Sequence, residues 1–457
     1  MAHDSAQSED PTSAEQTSEP DLSPADLFYL RVQGLLNTFS LRQAEILRLA
    51  TYIDERTAEV DSAAARARDR IRQKIGSAPA GSLDHDSVIH QLLEVFKSEP
   101  FEDDEDEELS EDERFDAFTS ALTEVGDSLP EGLLSTYIEA VIEALETPPG
   151  SRFLHPPLLV TLVGELEMVV KSLARASFER QPAALNDEGK TFSWAELIEH
   201  ESLDDVRDSL VDRVIDDVLR GSLTDWCDYF VKRFKIAKIA SVDTLEAQEP
   251  VQRRHCIVHN AGMASQPYIE RLQAYGHSAE LGSSLDVDAQ YLRRAADALY
   301  LVAYSLCWAV AFKLAQTDEE RNNFGSLLAN RIYFLLQQGR HQLVIDIVSS
   351  APLERLNEMT AFVVKVNYWI AMKRIGRFSE VRPEIESLDT RARSREFRLA
   401  KLALLDRVEE AHELTEQMIR DSELRPEFLF TWPLLTGVRD FAASRTEPDT
   451  IAPTEQD

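Results

Sequence analysis

The run "ALYLVAYSLCWAVAF", residues 298–312, is the longest stretch of the chain without a charged side chain. It is shorter than the roughly 20 apolar residues that a membrane-spanning helix needs. An uncharged run of this length is more typical of a helix buried in a bundle. We therefore predict a long helix from about Val287 onwards at the centre of a helical core, and no membrane role.

The sequence around this run is helical in character. From Leu158 to Ala315 every strong apolar pattern has helical spacing, including residues 158–180, residues 202–221, which end at Gly221, and residues 223–234. The sequence therefore predicts an all-α helical bundle.

Composition divides the chain further. The polar, acidic N-terminus has the composition of a disordered tail, and "TPPGSRFLHPP" at 147–157 reads as a boundary because prolines and a glycine interrupt helices. We predict five parts: an acidic disordered tail (1–22), an acidic helical N-terminal region (23–147), a central helical domain (155–316), a helical-repeat region (321–440) and a second disordered tail (441–457).

Two helix starts are predicted in the N-terminal region. Ser23 is a capping residue followed by Pro24 and Asp26, and Ser40 is followed by Gln43 in the spacing of a capping box. The run 99–116 is predicted to be a solvated acidic loop. The alternative is a segment that imitates nucleic-acid phosphates.

Charge and cysteine content exclude several classes of protein. The net charge is −34, and residues 1–150 carry 34 of the acidic and only 11 of the basic side chains. No domain is basic as a whole, so any contact with a polyanion must be local. Three separated cysteines without a Cys-x-x-Cys pair argue against a disulfide framework or a thiolate zinc site, and they fit a cytoplasmic protein.

The last third of the chain contains a weak repeat. Residues 333–348, 369–385 and 402–419 align on Gly339, Gly376 and Asp406, at intervals of 37 and 30 residues. In each unit an apolar helix meets a tight turn and a second apolar helix begins. The units resemble tetratricopeptide repeats, which stack and leave a groove for a protein partner or trigger. An ordinary helical bundle is the alternative.

The stretch "VQRRHCIVHNAG", residues 251–262, concentrates cations and imidazoles in an acidic chain. On a helix, His255 and His259 share a face, whereas Arg254 lies about 7.5 Å along the axis and roughly 140° round from His259. Four interpretations are open: a zinc site, a phosphate-binding cluster without catalysis, a structural site with satisfied histidines, and catalysis at a phosphodiester. The zinc-protease pattern requires a glutamate where Cys256 stands.

The segment "RHCIVH" fits the Arg-x4-His signature of HEPN domains (higher eukaryotes and prokaryotes nucleotide-binding), with a polar residue directly after the arginine. The context "RRHCIVHNAGMASQPYIERL", the segments "TFSWAELIEHESLDDVRDSLVDRVI" and "DWCDYF" upstream, and the long apolar helix resemble bacterial HEPN proteins of toxin and antiphage systems. The resemblance covers about residues 155–316.

The resemblance implies a metal-independent endoribonuclease that acts as a homodimer with a composite cleft. Under it, His259 serves as acid or base and Arg254 stabilises the phosphorane charge. His255 is a further catalytic residue, while Arg253 and Asn260 contact the RNA substrate. Imidazole suits both proton transfers because its pKa is near 6.5. The cations of "VKRFKIAK", residues 231–238, are candidates for an extended RNA path, or form a solvated helix face.

We therefore expect a regulated RNase of bacterial defence or stress response, with no metal and no cofactor. A different class of protein is the alternative. In that case the bundle is a non-catalytic scaffold that dimerises or binds nucleotide or RNA, and the repeats bind a partner.

Overall fold

The fold is all-α, as predicted. The computed structural model describes residues 22–57, 62–75, 84–97, 110–130, 132–147, 150–186, 189, 191–391 and 393–446, and these ranges contain helices and no strand. The helices are α1 (Pro24–Thr57), α2 (Ala63–Ile75), α3 (His85–Lys97), α4 (Glu111–Asp127), α5 (Leu133–Glu146), α6 (Ser151–Arg180), α7 (Trp194–Leu197), α8 (Leu203–Leu219), α9 (Leu223–Phe234), α10 (Leu245–His259), α11 (Gln266–Gln273), α12 (Ala289–Leu314), α13 (Asp318–Gln337), α14 (His341–Ser350), α15 (Glu358–Arg374), α16 (Phe378–Ser387), α17 (Arg395–Leu404), α18 (Val408–Arg420), α19 (Phe428–Thr431) and α20 (Thr436–Thr446).

Helix α1 confirms one predicted start and contradicts the other. The Ser23 hydroxyl accepts a hydrogen bond from the Asp26 backbone N–H at 3.1 Å, as a capping serine should. The predicted start at Ser40 is wrong, because the helix runs through this position to Thr57. Gln43 is fully buried there and donates to the Ala296 carbonyl of α12 at 3.1 Å. The polar pattern at 40–43 therefore marks a tertiary contact.

The predicted N-terminal region, 23–147, divides between two cores. Helix α1 packs along α6 and α12 and contributes Phe28, Val32 and Phe39 to the main core. Helices α2 to α5 form a separate cluster centred on buried residues such as Leu92 and Tyr137. The first helix thus belongs with the central domain, because its apolar face is buried there.

Helix α6 begins inside the predicted boundary. It starts at Ser151 and includes Pro156 and Pro157, so residue 155, the predicted start of the central domain, lies within a helix. His155 is 3% exposed and its Nε2 lies 3.1 Å from Asp54 Oδ1 at the end of α1. Burial against α1 holds the helix through the two positions where proline removes a backbone donor.

Two expectations fall partly outside the described residues. Of the acidic run, 99–109 lies outside them, while its end, predicted as loop, forms the start of α4. There the Ser110 and Glu113 side chains make a reciprocal capping box. Of the first predicted tail the structure describes only Leu22, and of the second it describes only residues 441–446. Residues 441–446 belong to α20, so the predicted start of the second tail at 441 is wrong.

Helix α12, which contains the uncharged run, is the centre of the main core. Tyr300, Leu306 and Val310 are among its fully buried side chains. Helices Arg152–Arg180 and Ala289–Leu314 are long and apolar enough to cross a membrane, but 67% of the most apolar window of the second is buried inside the protein. Core helices of soluble proteins have the same composition, and this packing is compatible with a soluble protein.

The repeat region consists of three helix hairpins, α13–α14, α15–α16 and α17–α18. The three aligned residues occupy the same place in the three turns. Gly339, Gly376 and Asp406 have φ values of 73°, 80° and 57°. In each turn the next residue donates its backbone N–H to a carbonyl of the preceding helix, for example Arg377 to Met372 at 2.9 Å. The alignment therefore identified a repeated left-handed helix ending.

The hairpins are joined to the central domain by one continuous core. Helix α14 packs against α12, and α13 packs against both α1 and α12. Arg340, in the first hairpin turn, pairs with Asp297 of α12 at 2.5 Å. The repeats stack in chain order from this base, with α15 on α13 and α14 and α17 on α15.

The left-handed turns predict a contrast between two glycines. Gly376→Ala should lower the free energy of unfolding by about 1 kcal/mol, because a Cβ at positive φ is strained. Gly34→Ala should raise it by about 0.5–1 kcal/mol, since Gly34 lies inside α1 with no atom near its added Cβ. Urea unfolding of both variants checks this. Equal effects would contradict the assigned turn geometry.

Candidate functional site

Helix α10 carries the motif and packs against α6, α11 and α12. It begins at Thr244, whose hydroxyl accepts a hydrogen bond from the Ala247 N–H. Its inner face buries Gln248, Glu249, Gln252 and Cys256. Its outer face exposes His255, Val258 and His259. The motif therefore divides between a buried polar face and an exposed imidazole face.

A left-handed turn ends α10 directly after His259. The Cys256 carbonyl accepts from the N–H groups of Asn260 and Gly262, at 2.8 and 3.1 Å. Ala261 and Gly262 follow with φ of 51° and 78°. The chain then pairs briefly with 282–285, where Leu285 donates to the Gly262 carbonyl at 2.9 Å. This pairing fixes where the helix ends and which way His259 faces.

The buried face is organised around one carboxylate, that of Glu249, which is 7% exposed. The Tyr268 hydroxyl donates to its Oε1 at 2.6 Å, and the Tyr291 hydroxyl donates to its Oε2 at 2.5 Å. Arg253 Nε donates to Oε1 at 2.6 Å. These side chains join α10, α11 and α12. Burial, followed by the neighbouring carboxylate, raises the pKa of Tyr291 well above its usual value and keeps its hydroxyl a donor.

Arg253 belongs to this buried cluster and not to an open phosphate site. Its side chain is 13% exposed, its Nη1 donates to the Asp286 carbonyl, and its guanidinium lies 4.2 Å from the centre of the Tyr291 ring. With these groups on several sides, the guanidinium is engaged within the protein. The predicted substrate contact of Arg253 therefore does not fit its position. The i, i+4 spacing of Glu249 and Arg253 was the sequence signal for this pair.

The exposed face brings the two histidines together, as their spacing predicts. The ring centres of His255 and His259 are 4.6 Å apart, with the ring planes inclined at 50°. The pKa of His255 is lowered, first by desolvation and then by the proximity of His259, Arg271 and Arg254. His255 is therefore biased towards the neutral form, which can accept a proton.

Arg254 is close enough to His255 to lower the pKa of that ring, and its own side chain is only loosely held. Its Nη2 is 3.5 Å from Glu167 Oε1 of α6, both side chains are about one-third exposed, and its Nε has no hydrogen-bond partner. Arg271 of α11, which sequence reasoning missed, adds a second arginine near His255 and donates to Gln252 Oε1 at 2.9 Å. Helical spacing could not predict this, because Arg271 lies on another helix and reaches His255 only through the turn that follows α10.

Asn260, the second predicted substrate contact, has a role in the turn. Its Nδ2 donates to the Met263 carbonyl at 2.7 Å, and the side chain is exposed. Its amide nitrogen is therefore engaged in holding the loop. Within the described ranges no group of three histidine, cysteine or acidic side chains is arranged to hold a metal ion, so His255 and His259 have no third ligand beside them there.

Comparison with protein-family models, with curated protein sequences and with solved structures finds no match to the chain in any of the three. The geometry of this site is therefore the basis for the function proposed below.

The two adjacent arginines predict stability losses of different size. Arg253→Gln should cost about 3 kcal/mol, because it leaves a buried carboxylate without its cationic partner. Arg254→Gln should cost less than about 1 kcal/mol, since its ion pair is long and partly exposed. Thermal and urea unfolding of the matched variants measures the difference. Equal losses would place both arginines in the structural cluster.

The histidine pair predicts a measurable electrostatic coupling. In His259→Gln the pKa of His255 should rise, because one of the groups that lower it is removed. It should stay below its usual value, since desolvation is the larger cause. NMR titration of the His255 ring reports this directly, and His412→Gln, on the distant helix α18, is the control. An unchanged or lower pKa in His259→Gln would refute the packing of the two rings.

Proposed function

We propose that the protein is a metal-independent endoribonuclease of the HEPN type, acting as a homodimer. The observation that carries the proposal is the exposed pair His255 and His259, 4.6 Å apart, beside the loosely held Arg254. The rest of the motif helix is held by buried contacts. The exposed groups are therefore arranged for an outside partner and not for internal packing.

RNA cleavage by attack of the 2′-hydroxyl needs a base for that hydroxyl and an acid for the leaving 5′-oxygen. A neutral imidazole can take the first proton and an imidazolium can give the second. The lowered pKa of His255 favours its neutral form, and proximity disfavours simultaneous protonation of both rings. In the proposed mechanism, His259 acts as acid or base, and His255 assists as the second proton carrier.

Arg254 and Arg271 supply the phosphate contacts in this proposal. Arg254 is partly exposed and makes one long ion pair through Nη2, so its terminal guanidinium nitrogens have donors left for a phosphate oxygen. Charge-assisted hydrogen bonds to a phosphorane are strong because both partners are ionised. Arg271 replaces Arg253 as the second cation. Glu167 would lose part of its pairing when RNA binds.

The homodimer is supported by exposed apolar side chains around the motif. Val258, which lies between His255 and His259 on α10, is 48% exposed. Met263, in the turn after the helix, is 38% exposed. Leu281, beside the loop pairing, is 66% exposed. An apolar surface of this kind fits a protein interface. A second copy of α10 placed there would make a cleft containing two motifs.

In this account the protein is a cytoplasmic effector of defence or stress response, and the stacked repeats receive a protein partner or trigger. The alternative is a scaffold without catalysis that dimerises or binds RNA or nucleotide. The pairing of Arg254 with Glu167 favours the scaffold, because a carboxylate beside the arginine competes with phosphate.

Single substitutions separate the enzyme from the scaffold. His259→Ala should lower the rate of RNA cleavage by about 10²–10⁴-fold, and Arg254→Ala by about 10²–10³-fold. Arg271→Gln should raise KM more than it lowers kcat, because it contacts phosphate away from the proton transfers. Gel assays on a single-stranded RNA in EDTA measure all three. Products should end in 2′,3′-cyclic phosphate, and DNA should remain intact.

Binding is measured on the same samples as the control. A wild-type protein that binds RNA and never cuts it would establish the scaffold. Cleavage that stops in EDTA and returns with zinc would replace the mechanism with one that uses metal. If both alanine variants unfold well below the wild type, the motif is structural.

A further inference from the structure

A cavity lies where the central domain meets the repeats, with a volume of about 430 Å³. One wall is the segment 235–241 between α9 and α10, another is the second half of α12, and the third is the end of α14 with the following turn at 350–355. Cavities of roughly 300–1,000 Å³ suit small molecules. None of the motif residues lines it, so it is a separate site.

The floor of this cavity is aromatic. Tyr304, Trp308 and Phe312 follow one another at four-residue intervals along α12, with ring centres 6.4 and 4.0 Å apart. Trp308 is half-buried. Its Nε1 and the Ser241 hydroxyl have no hydrogen-bond partner although both atoms are shielded from solvent. Shielded polar atoms normally have partners, so these two are available to the polar atoms of a bound ring.

The rim is cationic in a protein of net charge −34. Lys235, Lys238, Lys313 and Arg355 line the same cavity. Lys238 pairs with Asp243 at 2.5 Å. Within the described part of the chain the other three make no ion pair with a carboxylate, although most arginines and lysines there do. Two of the four, Lys235 and Lys238, belong to the "VKRFKIAK" segment, so half of that segment's cations line this cavity.

We propose that this cavity binds a free nucleotide. The base would occupy the aromatic and aliphatic floor, with its ring nitrogens and carbonyls near Trp308 Nε1 and the Ser241 hydroxyl. The phosphates would lie against Lys235, Lys313 and Arg355. A nucleotide matches the two halves of the site because it joins a flat ring to several negative charges. Binding here does not depend on RNA cleavage.

The position of the site gives it a regulatory consequence. The ligand would contact α12 of the central domain and the α14 turn of the repeats at once. Any molecule that binds the folded protein stabilises it by mass action, and here the stabilised contact is the junction between the two regions. Nucleotide concentration would thereby affect how firmly the repeats are held on the core.

Calorimetric titration of the full chain tests the site, with adenosine and guanosine triphosphates as probes. We expect saturable binding of at least one, with little binding of adenosine or inorganic triphosphate alone, because each occupies half of the site. The double substitution Lys313→Gln and Arg355→Gln should weaken binding by tenfold or more, since it removes two charge-assisted contacts. Lys171→Gln, in the cleft between α1 and α6, is the matched control.

Three results would overturn the proposal: no saturable binding of either nucleotide at millimolar concentration, equal affinity for inorganic triphosphate, or nucleotide binding that Lys171→Gln weakens and the double variant does not. Trp308→Phe supplies a second readout. The wild-type chain should change its tryptophan fluorescence on binding and this variant should lose that change. Melting temperatures measured without nucleotide confirm that each variant is folded. RNA cleavage assays on the double variant separate this site from the motif, since its basal activity should equal the wild type.

Discussion

The carboxylate of Glu249, buried among three donors, is the interaction on which the motif depends. A buried charge is costly unless it is paired and hydrogen-bonded, and here two tyrosine hydroxyls and Arg253 meet that requirement. Because the donors come from α10, α11 and α12, the cluster fixes the rotation of α10 about its own axis. With that rotation fixed, His255, Val258 and His259 must face outwards.

The same core carries this constraint to the rest of the protein. Tyr291, at the start of helix α12, contacts Glu249. Asp297, further along, pairs with Arg340 of the first repeat, and the second half of the helix lines the cationic cavity. The motif and the repeats are therefore two surfaces of one packed unit. In the proposed account this continuity is the physical route by which a partner or nucleotide at the repeats could influence the motif surface.

The sequence predicted the elements better than their assembly. Helical periodicity identified the fold class, and the alignment on Gly339, Gly376 and Asp406 located three left-handed turns, because such turns have a local chemical signature. The sequence analysis misplaced a helix start at Ser40, because the Gln43 side chain hydrogen-bonds to a residue 253 positions away and does not cap a helix. It also grouped α1 with the rest of the N-terminal region, whereas α1 packs against α6 and α12. The apolar pattern of a helix shows that one face is buried but not which helix covers that face.

The candidate site divides in the same way. Helical geometry alone predicts that His255 and His259 share a face, and in the structure their ring centres are 4.6 Å apart. The position of Arg253 depends on Tyr268 and Tyr291, and that of Arg271 depends on the turn at 260–262. These contacts come from residues distant in sequence or from a change of chain direction, which periodicity does not encode.

The proposed homodimer requires a second copy of the chain to cover the exposed motif face, and one crosslinking measurement tests this. All three native cysteines are buried, so Val258→Cys introduces a single exposed thiol beside His259. Met359→Cys, at a position of similar exposure in the repeats, is the control. Under mild oxidation at micromolar concentration, the account predicts a disulfide-linked dimer for Val258→Cys and monomer for Met359→Cys. A Val258→Cys protein that stays monomeric, or dimerises no more than the control, would contradict it.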